Sequence, residues 1–485
     1  MKFLHLLSTL LLTGIAVSAF GQREGYHIEI ACPSCHQDTI FLGNHYGNNQ
    51  YYRDTAYLIQ DTFYVFEGNK PLEPGVYLLI IPPNPPRLVQ FIVNENEQEF
   101  ALLLTQDSFP AVEEAVGSDD NQLFADYIKY LKVAELQRNQ ILVKYDGKED
   151  PASQDSMRTD LIKLNAQVHG AQERLADLMP GSMSSLLIRS SWEPQIPQFT
   201  GDTQSVKLQN YHYYKDHYFD EIDFSDKRLI RTPFIHQKVF NYLEHLVSPE
   251  PDSLIQEMDM FLDKMKDNDE LYKYFLIQFL NFSARSDIVG YDAIYVHLVD
   301  QYYADGKATW LGDDQLTRIL NTANTLRPLL IGKQAPDLEM KTRDDKVLHL
   351  YDVESPYTVL FIWDPDCGHC KKSMPVMEEF YEKYKAEGVQ IFAICSKLRT
   401  QNEPEGDKKC WEFVDEHPGM KEWIHVVDPY HQSRFKVVYD AKTTPQIYVL
   451  DKDKKIVSKK IGAESLPGLF DFLLGKQIAP NPPVK

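Results

Sequence analysis

The order of apolar and polar residues changes its period along the chain. Between residues 26 and 105, apolar residues alternate with polar ones or form short runs interrupted by Gly, Pro and Asn, as in YHIEI, FYVFEG and GVYLLII. This pattern predicts short strands of an antiparallel sheet or sandwich. Between residues 119 and 330 the apolar residues return at helical spacing, as at Leu123, Tyr127 and Leu131. A helical region is therefore expected there.

The last third of the chain alternates between strand and helix patterns. It contains the buried-strand runs TVLFIW, VQIFAIC and WIHVVD, with helical spacing after the first run and in CWEFVDEH. PQIYVLD and KIVSKKI follow as a hairpin, and SLPGLFDFLLG is a final helix. Because parallel strands need helical crossovers, this order predicts a small α/β domain.

These changes of pattern divide the chain into several regions. At about 150 residues per domain, the length agrees with three domains. The predicted bounds are 1–21 for a signal peptide, 22–112 for a β-rich domain, 113–330 for a helical domain, 331–476 for the α/β domain and 477–485 for a tail.

The first residues have the pattern of an export signal. Lys2 precedes the run FLHLLSTLLLTGIAVSAF, which contains several polar residues and ends in small ones. It is short and impure for a membrane span of about 20 residues. We expect export with cleavage near Ala19 to Gly21, and an uncleaved membrane anchor is the alternative. No later segment is apolar for long enough to span a bilayer.

The net charge and the absence of several known motifs exclude some classes of function. The net charge is −21, from 50 basic and 71 acidic side chains, which disfavours binding to a phosphate backbone. We therefore expect no nucleic-acid partner. The chain also has no GxGxxG, Walker or GxSxG motif, so nucleotide and serine-hydrolase chemistry have no support.

The stretch WDPDCGHCKKSMP carries the candidate chemistry. Cys367 lies where a predicted strand gives way to a helix, so the helix dipole and free backbone N–H groups favour its thiolate. Cys370 lies one turn later and can attack a mixed disulfide formed by Cys367. Gly368 allows another backbone to approach, and a protonated His369 would favour the thiolate. This pattern is typical of a redox-active pair.

Other interpretations of the cysteines and histidines are weaker. A structural zinc site needs four ligands, and Cys32 and Cys35 lie in a different predicted domain. A purely structural disulfide does not explain the position between strand and helix. His212 and His217 lie among carboxylates, but a spacing of five does not repeat one helical face. No metal site and no cofactor are expected.

The motifs together resemble a known family. WDPDCGHC with Pro375 after it, Thr444-Pro445 before the strand QIYVL, and GKQAPDL ahead of both look like the thioredoxin superfamily. Residues 331–476 are similar to exported TlpA/ResA-type (AhpC/TSA-like) thiol-disulfide oxidoreductases. The middle region, with DFSDKRLIRTPF and YYADGKATW, resembles a helical module of unassigned function, and the first strands resemble the β module that often opens such proteins.

The resemblance implies a fold class and a set of roles. The fold is multidomain, with a C-terminal α/β thioredoxin-like fold after an antiparallel sandwich-like β domain and an all-α domain. The implied nucleophile is Cys367 and the implied resolving thiol is Cys370. Pro445 would be the cis-proline that faces the pair, Thr444 would offer its backbone to substrate, and Trp363 would shield the nucleophile.

Three departures from the family pattern bear on mechanism. Phe361 occupies the position of the buried acid of thioredoxins, so the proton acceptor for Cys370 stays open. Asp364 and Asp366 are close in sequence but are equally explained as solvated loop charges or a helix cap. Gly368-His369 is typical of disulfide isomerases, which leaves the direction open. A peroxiredoxin would need Thr where Asp364 stands.

The remaining cysteines are expected to be structural. For Cys32 and Cys35 we favour a tight disulfide across a turn between strands, with a second redox pair as the alternative. For Cys395 and Cys410 we favour two small buried hydrophobic side chains, although mutual pairing is open in an oxidising compartment.

The sequence thus predicts a periplasmic thiol-disulfide oxidoreductase, most simply a reductase that acts on protein cysteines. The resemblance implies a membrane electron donor of the DsbD type. The alternatives are a disulfide oxidase or isomerase, and a partner-binding scaffold whose thioredoxin-like domain is not catalytic. The oligomeric state stays open, with a homodimer as one option.

Overall fold

The computed structural model describes residues 24–60, 62–83, 85–106, 110–304, 306 and 308–476. The predicted signal peptide and tail lie outside these residues. The described chain divides into two compact units. One contains the described residues up to Ser248 together with Met260–Tyr274, and the other contains Pro249–Asp259 and the described residues from Phe275 onward.

The first unit begins with an eight-stranded sheet. Its strands are β1 (Tyr26–Ala31), β2 (Thr39–Tyr46), β3 (Asn49–Gln60), β4 (Phe63–Gly68), β5 (Gly75–Ile81), β6 (Arg87–Val93), β7 (Glu99–Leu104) and β8 (Val112–Val116). The order across the sheet is β6-β5-β2-β3-β4-β1-β7-β8. β1 pairs antiparallel with β4 but parallel with β7, a departure from a purely antiparallel sheet. The five intervening strands supply the long connection that a parallel pair requires.

Five helices of the first unit follow the sheet. They are α1 (Asp119–Lys144), α2 (Pro151–Ala176), α3 (Met183–Ser190), α4 (Thr203–Asp216) and α5 (Ile235–His245). Ser118 caps α1 by accepting the N–H of Asn121. The buried Asp120 accepts the backbone N–H groups of Met183 and Ser184, so one carboxylate joins the first turns of α1 and α3.

Two helices contribute residues to both units, namely α6 (Pro251–Lys264) and α7 (Asp269–Arg285). The second unit continues with α8 (Asp292–Leu298), a π-helical turn (Val299–Tyr303) and α9 (Asp313–Leu326). None of the described helices combines the length and the apolar character that a membrane crossing requires.

The C-terminal part of the second unit is a seven-stranded sheet flanked by helices. In chain order its elements are β9 (Glu339–Lys341), β10 (Val347–His349), β11 (Tyr357–Trp363), α10 (Gly368–Tyr384), β12 (Val389–Cys395), α11 (Lys408–Glu416), β13 (Ile424–Val427), α12 (Phe435–Val438), β14 (Gln446–Asp451), β15 (Ile456–Lys459) and α13 (Leu466–Leu473). The strand order is β10-β9-β13-β12-β11-β14-β15. β11, β12 and β13 are parallel, as the sequence pattern predicts, and β14 runs antiparallel to β11.

The interior strand β11 is buried on both faces, which explains its continuous apolar run. Phe361 and Trp363 pack with Cys370 and the buried face of α10. Leu360 and Ile362 point into a second core on the opposite face of the sheet. Because alternate side chains of a strand point to opposite faces, a strand between two layers of helices needs apolar residues throughout. The end of this rigid strand positions the cysteine pair.

Candidate active site

The two cysteines lie at the junction between β11 and α10. β11 ends at Trp363 and α10 begins at Gly368, with Cys367 as the residue that caps the helix N-terminus. Both cysteines are free thiols. Cys367 is partly exposed, whereas Cys370 is 0% exposed. The structure therefore presents one sulfur to the surface and encloses the other.

The surroundings of Cys367 favour its thiolate. Partial burial alone raises the pKa of Cys367, but hydrogen bonds from groups that include the backbone N–H of Cys370 and of His369 outweigh it, and the net pKa lies below the ordinary value. These donors are N–H groups of the first helical turn, which have no intrahelical acceptor. The Cys367 thiol also donates a hydrogen bond to the carbonyl oxygen of Thr444 at 3.2 Å.

The surroundings of Cys370 favour its protonated form. Burial, partly offset by the backbone N–H of Asp364 at 3.4 Å from the sulfur, raises the pKa of Cys370 to about 12. The interaction with Cys367 is a smaller contribution to the same rise. The pair thus combines an accessible sulfur that ionises readily with a buried sulfur that holds its proton.

The backbone of Thr444 lies beside Cys367. The Thr444–Pro445 peptide bond is cis, and the Thr444 carbonyl is the one that Cys367 contacts. Beside Pro445 lies a cleft of about 430 Å³. It is lined by both apolar and polar residues, among them Ser373, Gln446, Ile447, Lys460 and Ile461.

Trp363, Gly368 and His369 occupy different environments. Trp363 is buried and packs against Phe413 of α11, with ring centroids 5.1 Å apart. Gly368 and His369 are exposed at the start of α10. Pro375 lies inside α10, which continues to Tyr384. The contribution of His369 to the Cys367 pKa comes from its backbone N–H.

The structure also shows what Asp364 and Asp366 contact. Lys397 lies 3.2 Å from the Asp364 carboxylate and 2.7 Å from that of Asp366. Ser396 donates a hydrogen bond to Asp364 at 2.9 Å. The sequence analysis did not single out Ser396 or Lys397. Both residues directly follow the run VQIFAIC, which the sequence predicts as the next strand of the α/β domain, and this position was the signal that could have found them.

The other four cysteines form two disulfides. Cys32 and Cys35 are joined, as expected, at the end of β1. Cys395 and Cys410 are joined as well, so the favoured interpretation as two independent buried side chains is wrong. β12 ends at Cys395 and α11 begins at Lys408, and the fold brings their Cα atoms to 6.2 Å. Spacing in the sequence could not reveal this proximity.

The histidines and carboxylates near residue 217 are engaged with one another. His217 lies 2.6 Å from Asp220, and its ring contacts that of Tyr213. His212 is exposed and contacts Tyr211. Across the described part of the chain, no group of three or more His, Cys, Asp or Glu side chains is placed to hold a metal ion.

Comparisons with known proteins agree with this geometry. The AhpC/TSA family matches residues 331–459, and a domain of unknown function, DUF5106, matches residues 164–327. The thiol-disulfide oxidoreductase ResA of Bacillus anthracis is 30% identical over 152 residues, which cover 31% of this chain and 79% of that protein. The chain belongs to the TlpA/ResA-type thiol-disulfide oxidoreductases. ResA of Bacillus subtilis is 32% identical over 145 residues, or 29% of this chain and 73% of that protein.

Solved structures extend the comparison. A domain of a possible thiol-disulfide isomerase from Cytophaga hutchinsonii is 37% identical and covers 30% of this chain and 93% of its own, with a TM-score of 0.27. A thioredoxin-like protein from Bacteroides caccae is 19% identical and covers 59% of this chain and 98% of its own, with a TM-score of 0.44. The predicted thioredoxin-like C-terminal fold, after a β-rich region and a helical region, is confirmed. In this TlpA/ResA-type protein the match to the AhpC/TSA family ends at residue 459.

Proposed function

We propose that this chain is an exported, periplasmic reductase of protein disulfides, with Cys367 as the nucleophile and Cys370 as the resolving thiol. The observation that carries the proposal is the contrast between the two sulfurs. Cys367 is accessible and has a lowered pKa, whereas Cys370 is enclosed and has a pKa of about 12. Disulfide exchange requires a thiolate as the attacking species, so the reaction begins at Cys367.

The reaction proceeds by two exchanges. The Cys367 thiolate attacks one sulfur of a substrate disulfide, which forms a mixed disulfide and releases the other substrate sulfur as a thiolate. Cys370 then loses its proton and attacks the Cys367 sulfur, which closes the Cys367–Cys370 disulfide and releases the second substrate sulfur. Two electrons pass from the dithiol to the substrate, and the two thiol protons end on the substrate sulfurs.

The buried sulfur supports the reducing direction. A strongly oxidising pair owes its potential to stabilisation of its reduced form. Here burial disfavours the Cys370 thiolate, so ionisation stabilises the dithiol only at Cys367, whose lowered pKa acts in the oxidising sense. The Gly368-His369 dipeptide favours the alternative of an oxidase or isomerase, because that dipeptide is typical of disulfide isomerases.

The rest of the chain supports export and docking. Residues 1–21 have the pattern of a signal peptide, and the disulfides Cys32–Cys35 and Cys395–Cys410 fit an oxidising compartment. The Cys367–Cys370 disulfide of a periplasmic reductase must be reduced again after each turnover, and a membrane electron donor of the DsbD type would do this. We propose that the domains at 22–112 and 113–330 serve substrate docking or dimerisation, ahead of the catalytic domain at 331–476.

The direction is tested by the reduction potential of the pair. Full-length protein is equilibrated with defined ratios of reduced to oxidised glutathione and of reduced to oxidised dithiothreitol, and the redox state of Cys367 and Cys370 is read by alkylation and peptide mass. A potential near about −270 mV supports the reductase, and one near about −180 mV supports the isomerase. The Cys32→Ser/Cys35→Ser variant is the matched control, because its active-site pair should titrate identically.

A second measurement tests the scaffold alternative. In the Cys367→Ser/Cys370→Ser variant, a reductase loses all reduction of a disulfide-bonded test protein. If the cysteine pair of the wild-type protein never cycles between dithiol and disulfide, and partner binding is unchanged in the double-serine variant, the enzyme proposal fails. Peptide mass mapping of the N-terminus after expression in a Gram-negative host tests cleavage near Ala19 to Gly21.

A further inference from the structure

The turn that leads into the nucleophile is fixed by groups from two neighbouring segments. Within the turn, the Asp364 carboxylate accepts the backbone N–H of Asp366 at 2.8 Å. From the segment after β12, Ser396 donates to Asp364 and Lys397 bridges both carboxylates. From the start of α11, Lys409 lies 3.7 Å from Asp366. The turn is thus held from outside by one hydroxyl and two cations.

The Cys395–Cys410 disulfide joins the two segments that supply these groups. Cys395 is followed directly by Ser396 and Lys397, and Cys410 is preceded directly by Lys409. Both sulfurs are buried. Between the two cysteines the chain runs through residues 398–407, which contain neither helix nor strand. The disulfide therefore limits how far the two lysines can move from the turn.

We propose that Lys397, held in place by the Cys395–Cys410 disulfide, is a positioning residue. It fixes the turn Asp364–Asp366 beside the active-site thiols and neutralises the carboxylates of that turn. The proposal rests on the thiol-disulfide chemistry of the pair and holds for either direction of electron flow. It assigns to the second disulfide a role in the reactivity of the first pair.

The charges around the turn determine the direction in which loss of Lys397 should change the pKa values of the two thiols. Uncompensated carboxylates beside Cys367 and Cys370 would disfavour both thiolates. The groups that face Asp366 are Lys397, Lys409 and, from α10, Lys371. Lys397 is 18% exposed and makes the shortest of these contacts, so its charge is screened least.

The turn also supplies a hydrogen bond to the resolving sulfur. The backbone N–H of Asp364 points at the Cys370 sulfur, and its side chain is the one that Ser396 and Lys397 bind. A hydrogen bond to the charged form lowers a pKa, so this donor offsets part of the effect of burial on Cys370. Release of the turn would weaken that donor.

The test is a comparison of pH profiles for alkylation of Cys367 in the full-length protein. In Lys397→Met we expect the thiolate fraction at a fixed pH to fall about threefold, the size typical of a partly exposed charge pair. Lys397→Arg should restore the wild-type profile because it keeps the charge. Asp366→Asn alone should shift the profile the opposite way, and adding it to Lys397→Met should return the thiolate fraction toward the wild-type value.

A double-mutant cycle tests the role of the disulfide. Cys395→Ala/Cys410→Ala should give part of the Lys397→Met effect, and Lys397→Met should change the profile less in that background than in the wild type. Equal effects in both backgrounds would overturn the link to the disulfide. Unchanged profiles in both Lys397→Met and Asp366→Asn would overturn the proposal as a whole.

The design separates a positioning role from a purely structural one. A structural Lys397 would lower the melting temperature without moving the pH profile, and Asp366→Asn would not oppose it. If Lys397→Met does not fold, the variant Asp366→Asn, at an exposed position, still shows the direction in which the charge of the turn shifts the pH profile. Failure of the reductase proposal would appear in the absolute potential of the pair, whereas this proposal concerns differences between variants.

Discussion

The contrast between the two active-site sulfurs predicts selective labelling of reduced protein. Cys367 should react with iodoacetamide near neutral pH, and Cys370 should not. The physical reason is that Cys367 receives hydrogen bonds from the first turn of α10, whereas Cys370 is enclosed by the core. The replacement of either cysteine by serine isolates the other for measurement.

The size of the effect follows from the ionisation of each thiol. With a pKa of about 12, Cys370 is a thiolate in about one molecule in 30,000 at pH 7.5, whereas a pKa below the ordinary 9.0 makes Cys367 a thiolate in more than about 3 in 100. The ratio is about 1,000. A thiolate of higher pKa is intrinsically more nucleophilic, which reduces the expected rate ratio to about 30- to 60-fold. Burial of Cys370 increases it again.

The assay measures alkylation rates by mass spectrometry between pH 5 and 10. The Cys370→Ser variant reports on Cys367, and the Cys367→Ser variant reports on Cys370. Peptide mapping of alkylated, reduced wild-type protein checks that Cys367 and Cys370 have the same order of reactivity there as in the two variants. Denatured protein is the control, because both cysteines should then react at similar rates.

The reasoning would be refuted by comparable reactivity. If Cys370 reacted within tenfold of Cys367 in the native protein at pH 7.5, burial would not hold its proton. If the midpoint for Cys367 lay at or above pH 9, the helix N-terminus would not stabilise its thiolate. In either case the nucleophile would have to be assigned again.

Three further predictions concern stability. Trp363→Ala should cost about 3–5 kcal/mol of unfolding free energy in urea, because it empties a buried aromatic site, and a loss below 1 kcal/mol would contradict this packing. Cys32→Ser/Cys35→Ser should cost about 2 kcal/mol and leave the Cys367 pH profile unchanged. A hydrogen bond to Asp337 raises the pKa of His349 above 6.5, so its stabilising contribution is complete below pH 6.5 and is lost as the pH rises through the folded pKa. NMR titration checks this shift, and Asp337→Asn should remove most of it.

Much of the catalytic domain was predictable because its signals are local. The run TVLFIW predicts a strand buried on both faces, and β11 is one. Apolar residues after Cys367 predict α10, whose buried face includes Met374, Met377 and Phe380. Side-chain periodicity is a property of neighbouring residues, so it is legible without the fold.

The environment of the pair was not predictable in the same way. The Thr444 carbonyl contacts Cys367 across 77 positions of sequence, and Lys397 contacts Asp364 from the segment that follows β12. The resemblance named Thr444, but neither spacing nor composition gave Lys397. Such contacts depend on strand order and register, which the periodicity of each segment does not encode.

The sequence by itself determined the order of the longer strands and helices of the α/β domain, but not the short β9, β10 and α12. It also determined the place of the CxxC motif at a helix N-terminus and the likeness to a redox family. Only the tertiary structure decided that Cys370 is enclosed, and that Cys395 and Cys410 are joined beside the turn before Cys367. The physical reason is that burial and proximity arise when segments distant in the chain pack together. That packing raises the pKa of Cys370, whereas the adjacent first turn of α10 lowers the pKa of Cys367.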